Sequence, residues 1–290
     1  MIIVQLAGGL GNQMFQYALA RRLMSMGRNV KIDDRAGFEQ DLQRNPALSV
    51  FGISYERPQE KELRRMLDSD PALWYKVRRK LCGRKKKSYF EETKRFLPQV
   101  LEWDDIYLEG YWQSEKYFEP IHEQIRELYD TDKIFEHTGN VDAVLRREIG
   151  QGDSVSVHIR RGDYLTPENE KLYGNICTPQ YYRAAMQEMK RRHPNCHFYL
   201  FTNDVEWIRS WDACGYGKES TIVDTGSGES ADYRQFALMA ECRHHILANS
   251  SFSWWASYLH PHEDKIVLAP AGWLNGWDCT DLYRSDMIVI

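Results

Sequence analysis

The sequence predicts an α/β protein with two domains in series, each built on a parallel sheet, and three observations support this. The chain opens with an apolar strand, a glycine-rich turn and an amphipathic helix, which is how a Rossmann-like unit begins. The second half alternates short apolar strands with helices, a pattern typical of a parallel sheet covered on both faces. A polar break, Gly150-Gln-Gly-Asp153, lies between the halves. We therefore expect domains at 1–150 and 151–290.

In the first half, the strand Ile2–Leu6 ends at three glycines, and apolar residues then recur at helical spacing from Gln13 to Met26. Val30–Asp33 is predicted as a second strand. The segment 34–108 is mixed and polar, and it carries no motif from which a substrate can be inferred. Further helices are predicted near 58–69, 71–82, 114–128 and 141–149.

The second half is predicted as alternating strands and helices. Its strands are expected at 155–159, 197–201, 221–223, 245–248 and 266–268. Its helices are expected at 179–192, 205–211, 231–242 and 251–259. The helix at 179 follows Thr178-Pro179, because a threonine cap and a proline in the first turn favour a helix start.

Composition excludes several classes of protein. A net charge of −4 gives no overall reason to expect nucleic-acid binding. The start Met1–Leu6 lacks the basic and apolar regions of a signal peptide, and no apolar run approaches the ~18 residues that span a bilayer. The six cysteines form no C-x-x-C pair, which favours free thiols in a reducing cytoplasm. The aromatic content of 13% is a weak indication of a sugar site.

The first candidate site is the turn Gly8-Gly-Leu-Gly-Asn12, between the first strand and the first helix. Glycines such as Gly9 and Gly11 let backbone N–H groups approach a ligand, and a helix N-terminus favours anions. The same residues also suit a tight turn that binds nothing. The pattern is not G-x-G-x-x-G, and Asn12 is not an acidic ribose contact.

The most informative motif is His158-Ile-Arg-Arg-Gly-Asp163, at the end of a predicted strand. Ligands bind at the carboxyl ends of parallel strands, and alternation places His158 and Arg160 on one face. Arg160 and Arg161 are suited to clamping a diphosphate through charge-assisted hydrogen bonds. Asp163 would orient an arginine or accept a proton, unless the motif only forms a structural ion pair.

Two further strand ends carry polar residues. Asn203 and Asp204 are suited to binding a base or ribose, although Asp204 would also serve as an N-cap. Asn249, Ser250 and Ser251 precede a helix whose free N–H groups would make a phosphate cradle without a metal. One serine of this run is equally explained as a capping residue.

Two other clusters have simpler explanations. Cys242, His244, His245, His260 and His262 fall on different elements and match no zinc spacing, so we expect no metal. The segment Lys76–Lys87 carries eight Lys or Arg residues beside two aromatic rings. It is interpreted first as a solvated basic face, and second as a peripheral contact with an anionic membrane or carrier.

Five blocks occur in order along nearly the whole chain: GGLGNQMFQYA at 8–18, GYWQSEKYF at 110–118, HIRRGDY at 158–164, FTND at 201–204 and ANSSFSWW at 248–255. Together they resemble the α-1,2-fucosyltransferases of glycosyltransferase family 11. The resemblance implies a GT-B fold, with two Rossmann-like domains facing across a cleft. It implies inverting, metal-independent transfer of L-fucose from GDP-fucose to the 2-hydroxyl of a galactose-terminated acceptor. The lack of an N-terminal anchor points to a bacterial cytoplasmic form.

The resemblance also implies roles for single residues. Arg160 would bind the β-phosphate with His158 nearby, and Asn12 would be a second donor contact. The acceptor oxygen must lose its proton, and here three alternatives stay open. Asp163 is the first candidate base and Glu168 the second, and the departing phosphate would otherwise take the proton.

Two other functions are compatible with these residues. One is a non-catalytic protein that binds a nucleotide sugar or a glycan on the same fold. The other is transfer of fucose to a protein serine or threonine, against which the block at 110–118 argues through the resemblance alone.

Overall fold

The computed structural model describes residues 1–39, 41, 43–139, 141–210 and 217–290, with the backbone but not the side chain of Asp163. These residues form two compact units, Met1–Leu128 and Tyr129–Ile290. Each unit contains one sheet in which all paired strands are parallel. The predicted α/β class with two parallel sheets is therefore confirmed.

The first unit has a four-stranded sheet in the order β2-β1-β4-β3. Its elements are β1 (Ile2–Ala7), α1 (Leu10–Ser25), β2 (Val30–Gly37), α2 (Glu60–Leu67), α3 (Leu73–Cys82), β3 (Ser88–Phe90), β4 (Ile106–Glu109) and α4 (His122–Leu128). The central strand β1 pairs Ile2 with Val30 of β2 and with Ile106 of β4. Ile3, Tyr107 and Met66 pack together in one part of its core.

The second unit has a six-stranded sheet in the order β10-β9-β8-β5-β6-β7. Its elements are α5 (Asp132–Thr138), α6 (Ala143–Gln151), β5 (Ser154–Ile159), α7 (Pro167–Tyr173), α8 (Pro179–Arg192), β6 (His197–Thr202), α9 (Val205–Ser210), β7 (Ser220–Val223), α10 (Glu229–Glu241), β8 (His244–Ile246), α11 (Ser251–Leu259), β9 (Val267–Ala269) and β10 (Met287–Val289).

The strand order of the second unit is that of a Rossmann fold. Counted along the unit, the strands read 6-5-4-1-2-3, which is the dinucleotide-binding order seen from the other edge. All six residues of β5 are buried, as expected for a central parallel strand covered on both faces. The order reverses between β5 and β8, and this switch point is where such sheets bind ligands.

The structure differs from the sequence predictions at several elements. The helix predicted at 114–128 is wrong as one element, because two short 3-10 turns precede α4. Pro120 lies in the second turn, where its missing N–H and the conformation it imposes on the preceding residue disfavour a continuous helix. The predicted helix at 179–192 is confirmed, with the Thr178 hydroxyl accepting a hydrogen bond from the N–H of Tyr181 at 3.3 Å.

The compact units divide between Leu128 and Tyr129, whereas the sequence placed the boundary at 150. Helices α5 and α6 belong to the second unit because they pack on α10. Arg146 of α6 donates to Glu241 at 2.8 Å, and Arg234 of α10 donates to Asp142 at 2.8 Å.

Candidate active site

The candidate site lies at the switch point of the second sheet. Arg160 follows β5, and Asn249, Ser250 and Ser251 follow β8, which pairs directly with β5. The structure thus brings together two of the motifs that the sequence singled out. The adjacent carboxyl end of β6 carries Asn203 and Asp204.

His158 joins the end of β5 to α11. Its side chain is buried, and Nδ1 lies 2.9 Å from the Ser253 hydroxyl. Burial, followed by the charge of Arg160, lowers the pKa of His158 to about 3. The ring is therefore neutral near pH 7, so His158 contributes position rather than positive charge.

Arg160 is half-buried beside an aromatic pair. Its guanidinium carbon lies 5.6 Å from the ring centroid of Tyr164, which stacks on Tyr173 at 4.5 Å. The Tyr164 hydroxyl donates to the carbonyl of Asn249 at 3.0 Å. Tyr164 consequently holds the loop after β5 against the loop after β8, which fixes Arg160 near the start of α11.

Asp232 of α10 faces the same region. The surrounding protein partly removes the Asp232 carboxylate from water, which raises its pKa. The positive charge of Arg160 acts to lower that pKa. Sequence reasoning missed Asp232, Tyr164 and Tyr173 as neighbours of Arg160. Only Tyr164, inside the HIRRGDY block, carried a signal that could have identified it.

The loop after β8 is fixed by its own side chains. Asn249 is buried and its amide donates to the carbonyl of Trp273 at 3.1 Å. The Ser250 hydroxyl accepts from the N–H of Phe252 at 3.3 Å, which makes Ser250 the N-cap of α11. Ser251 is the first residue of that helix. The N-terminal end of α11 therefore points its positive dipole end to the switch point.

Arg161 lies in a different environment from Arg160. Its guanidinium carbon is 3.9 Å from the Trp207 ring centroid, and Nε donates to Asp204 at 3.2 Å. Its backbone N–H donates to the Asn203 side chain at 2.9 Å. Asp204 also caps α9 by accepting from the N–H of Trp207 at 3.1 Å. Arg161 thus binds both Asn203 and Asp204. The interpretation of Asp204 as the N-cap of α9 is confirmed.

Gly162 occupies a position that favours glycine. Its φ is +48°, and a Cβ there would lie 2.5 Å from Nδ2 of Asn203. The positive φ and the close approach of the Asn203 side chain therefore both favour glycine at this position.

The two candidate bases differ in what the structure shows. The backbone of Asp163 lies in a 3-10 turn, Gly162–Leu165, while its side chain lies outside the described part of the chain. Glu168 is exposed in the first turn of α7.

The glycine turn of the first unit is held by side-chain amides. Gln113 donates to Oδ1 of Asn12 at 2.8 Å, which links the first and second sequence blocks. Gln13 donates to the carbonyl of Gly8 at 2.8 Å. Gly8 has a φ of +75°, whereas Gly9 is the N-cap of α1 in an extended conformation and Gly11 lies within the helix. The glycine with a strict conformational need is thus Gly8, which the sequence did not single out.

One group of possible metal ligands occurs among the described residues, near the amino ends of β5 and β8 in the second sheet. Asp153 lies 3.1 Å from Nδ1 of His193 and 3.0 Å from Nε2 of His244. Nδ1 of His244 accepts from the N–H of Ile266 at 3.0 Å, so Nε2 carries the proton and donates to Asp153. Both nitrogens of His244 are thereby engaged, which favours a hydrogen-bonded relay over metal ligation.

A Rossmann-ordered sheet with an arginine and a helix N-terminus at its switch point is an arrangement typical of nucleotide-binding α/β proteins. The model of Glycosyl transferase family 11 matches residues 85–286. The chain belongs to this family and is a glycosyltransferase. No helix formed by the described residues is long and apolar enough to cross a bilayer.

Similar proteins extend the match over more of the chain. An alpha-1,2-colitosyltransferase of Escherichia coli is 31% identical over 96% of this chain and 95% of its own length. A galactoside alpha-(1,2)-fucosyltransferase 1 of Saimiri sciureus is 33% identical over 52% of this chain and 42% of its own. The solved NodZ alpha-1,6-fucosyltransferase, soaked with GDP-fucose, aligns over 90% of this chain and 92% of its own with 14% identity and a TM-score of 0.45.

Proposed function

We propose that this enzyme is an inverting α-1,2-fucosyltransferase, which transfers L-fucose from GDP-β-L-fucose to the 2-hydroxyl of a terminal galactose. The observation that carries the proposal is that Arg160 follows β5, that α11 begins after the paired strand β8, and that Tyr164 contacts both Arg160 and the Asn249 carbonyl before that helix. Two relatives, the alpha-1,2-colitosyltransferase and the galactoside alpha-(1,2)-fucosyltransferase 1, form a 1,2 linkage by their names, which supports the proposed linkage. The donor and the galactose acceptor follow from the resemblance of the five sequence blocks.

The reaction is a single displacement at fucose C1. The acceptor oxygen forms its bond to C1 as the bond from C1 to the β-phosphate oxygen breaks, so a β-linked donor gives an α-linked product. Negative charge develops on the departing GDP. Arg160 and the N–H groups that begin α11 supply the fixed positive charge that stabilises it. Asn12 is kept as a donor contact on the strength of the resemblance.

The acceptor proton needs a separate route. Asp163 is the first candidate, because its backbone turn immediately follows the two arginines. An Asp163→Asn variant should lower kcat by roughly 100- to 10,000-fold, the range of general-base catalysis, and leave KM for the donor unchanged. Glu168→Gln is the matched comparison. If neither change affects kcat, the proton passes to the departing phosphate.

A second donor is favoured by one observation. The relative that spans nearly the whole chain is a colitosyltransferase, so a nucleotide-activated colitose is the alternative to GDP-fucose. The same arginine and helix start would serve the diphosphate leaving group of either donor.

The decisive experiment is a donor and acceptor panel with the purified chain. Fucose should be transferred from GDP-fucose to lactose or another β-galactoside, and linkage analysis should show an α bond to the galactose 2-hydroxyl. Transfer of colitose in preference to fucose would show that the donor sugar is colitose and not fucose. Binding or slow donor hydrolysis without transfer, or transfer only to a serine or threonine peptide, would reject the proposed acceptor class.

A further inference from the structure

Helix α3 of the first unit contacts the rest of the unit through charged side chains and exposes apolar ones, which is the reverse of an ordinary surface helix. Arg78 pairs with the buried carboxylate of Asp68, and Arg79 donates to the carbonyl of Asp70 at 2.7 Å. These two arginines hold the helix against the unit. A surface helix normally buries an apolar stripe and exposes its charges.

The outward face of α3 is apolar. Leu73, Val77 and Leu81 are spaced four residues apart and therefore share one stripe, with exposed fractions of 77%, 43% and 78%. Trp74 lies at the edge of that stripe and is 72% exposed. Large apolar side chains grouped on an exposed helix indicate a surface that is covered by something else.

The charges beside this stripe are positive. The exposed side chains of Lys76 and Lys80 lie on α3, and those of Arg84, Lys85 and Lys86 follow it. Among the described residues, the ion pairs of this segment use Arg78, Arg79 and Lys87 and none of these five. Asp68 accepts from the N–H of Lys85 at 2.8 Å, which keeps the basic stretch next to the helix.

We propose that α3 and residues 84–86 bind the surface of an anionic lipid bilayer. The apolar stripe enters the headgroup region, and the five cations contact lipid phosphates. Ten residues are too few to cross a bilayer but suit a helix lying in the interface. A nucleic acid would use the cations and leave the leucines exposed, and a second copy would bring like charges together. A bilayer with anionic headgroups satisfies both the apolar stripe and the cations.

The test is sedimentation of the full chain with sucrose-loaded vesicles, in the absence of donor and acceptor. The chain should pellet with phosphatidylcholine mixed with an equal amount of phosphatidylglycerol, and much less with phosphatidylcholine alone. Raising salt from about 0.1 M to about 0.5 M should release it. Because neither substrate is present, the result is independent of the proposed transfer reaction.

Two variants test the two components. L73Q/V77Q/L81Q removes the stripe, and K85Q/K86Q removes two cations; each should weaken vesicle binding by roughly tenfold or more. V141Q/V144Q is the matched control, because Val141 and Val144 are 71% and 69% exposed in the second unit. It should bind as the unmodified chain does, and circular dichroism should show all three variants folded.

Several outcomes would overturn the proposal. The first is no pelleting of the unmodified chain with the anionic vesicles. The second is pelleting that either the stripe variant or the lysine variant leaves unchanged. The third is concentration-dependent self-association, without vesicle binding, that the stripe variant abolishes; this would assign the stripe to a second copy of the chain.

Discussion

Two neighbouring arginines in one motif have opposite surroundings. Arg161 is stacked on Trp207 and paired with Asp204, so the fold itself uses its hydrogen bonds and charge. Arg160 lies at the β5–β8 switch point, where its charge acts on His158 and Asp232 and α11 begins nearby. The comparison shows that Arg161 anchors the loop, and the proposed role of Arg160 is to bind the donor.

The largest expected effect is on Arg160. Arg160→Ala should lower kcat/KM by roughly 100- to 10,000-fold, since two charge-assisted hydrogen bonds to the leaving group contribute about 1.5–3 kcal/mol each. Steady-state kinetics with GDP-fucose and a β-galactoside would measure it. Arg161→Ala is the matched comparison and should cost about tenfold or less. Equal losses of kcat/KM in the two variants would contradict the separate roles given to Arg160 and Arg161.

The next effect concerns pH and His158. The folded-state pKa of His158 is about 3, against about 6.5 in the unfolded chain, so the unfolded chain binds the extra proton between these values. The contribution of His158 to the free energy of unfolding should therefore be fully present above about pH 6.5. It should be lost as the pH falls to about 3. Urea titrations should show a flatter fall for His158→Gln. A fall of the same steepness would mean that His158 makes no contribution to the loss of stability.

A smaller effect is expected at Gly162, which directly follows the two arginines. Gly162→Ala should destabilise the protein by about 1–3 kcal/mol, because φ is positive and the added Cβ would meet Asn203. Gly226→Ala is the control, since Gly226 has a φ of +84° and open space around its Cα. Thermal unfolding should show a larger loss for Gly162→Ala, and equal losses would exclude the Asn203 clash.

The smallest effect is on stability at Arg161. Arg161→Ala removes a half-exposed ion pair and a cation–π contact, and should lower the free energy of unfolding by about 1 kcal/mol. Trp207→Leu in the Arg161→Ala background tests the contact. In a double-mutant cycle the two changes should be non-additive, whereas additivity would show that the stacking contributes no stability.

Much of this arrangement could be predicted from sequence, because polar residues at strand ends and the Thr178-Pro179 helix start are local signals. The different surroundings of Arg160 and Arg161 could not be predicted, since they depend on Trp207 and Asp232 from distant segments. The strands β3, β4 and β10 were not predicted; so short a stretch carries little periodicity, and the equally short β8 and β9 lie where strands and helices alternate regularly along the chain. Pro120 should have argued against one continuous helix at 114–128.

The central claim is that Arg160 contacts the β-phosphate of the donor. Calorimetric titration of GDP and GMP into the unmodified chain and Arg160→Ala tests it directly, because the two nucleotides differ by that phosphate. We expect Arg160→Ala to weaken GDP binding by roughly 100-fold and to leave GMP binding unchanged. Equal weakening of both nucleotides, or no weakening of GDP, would contradict the account.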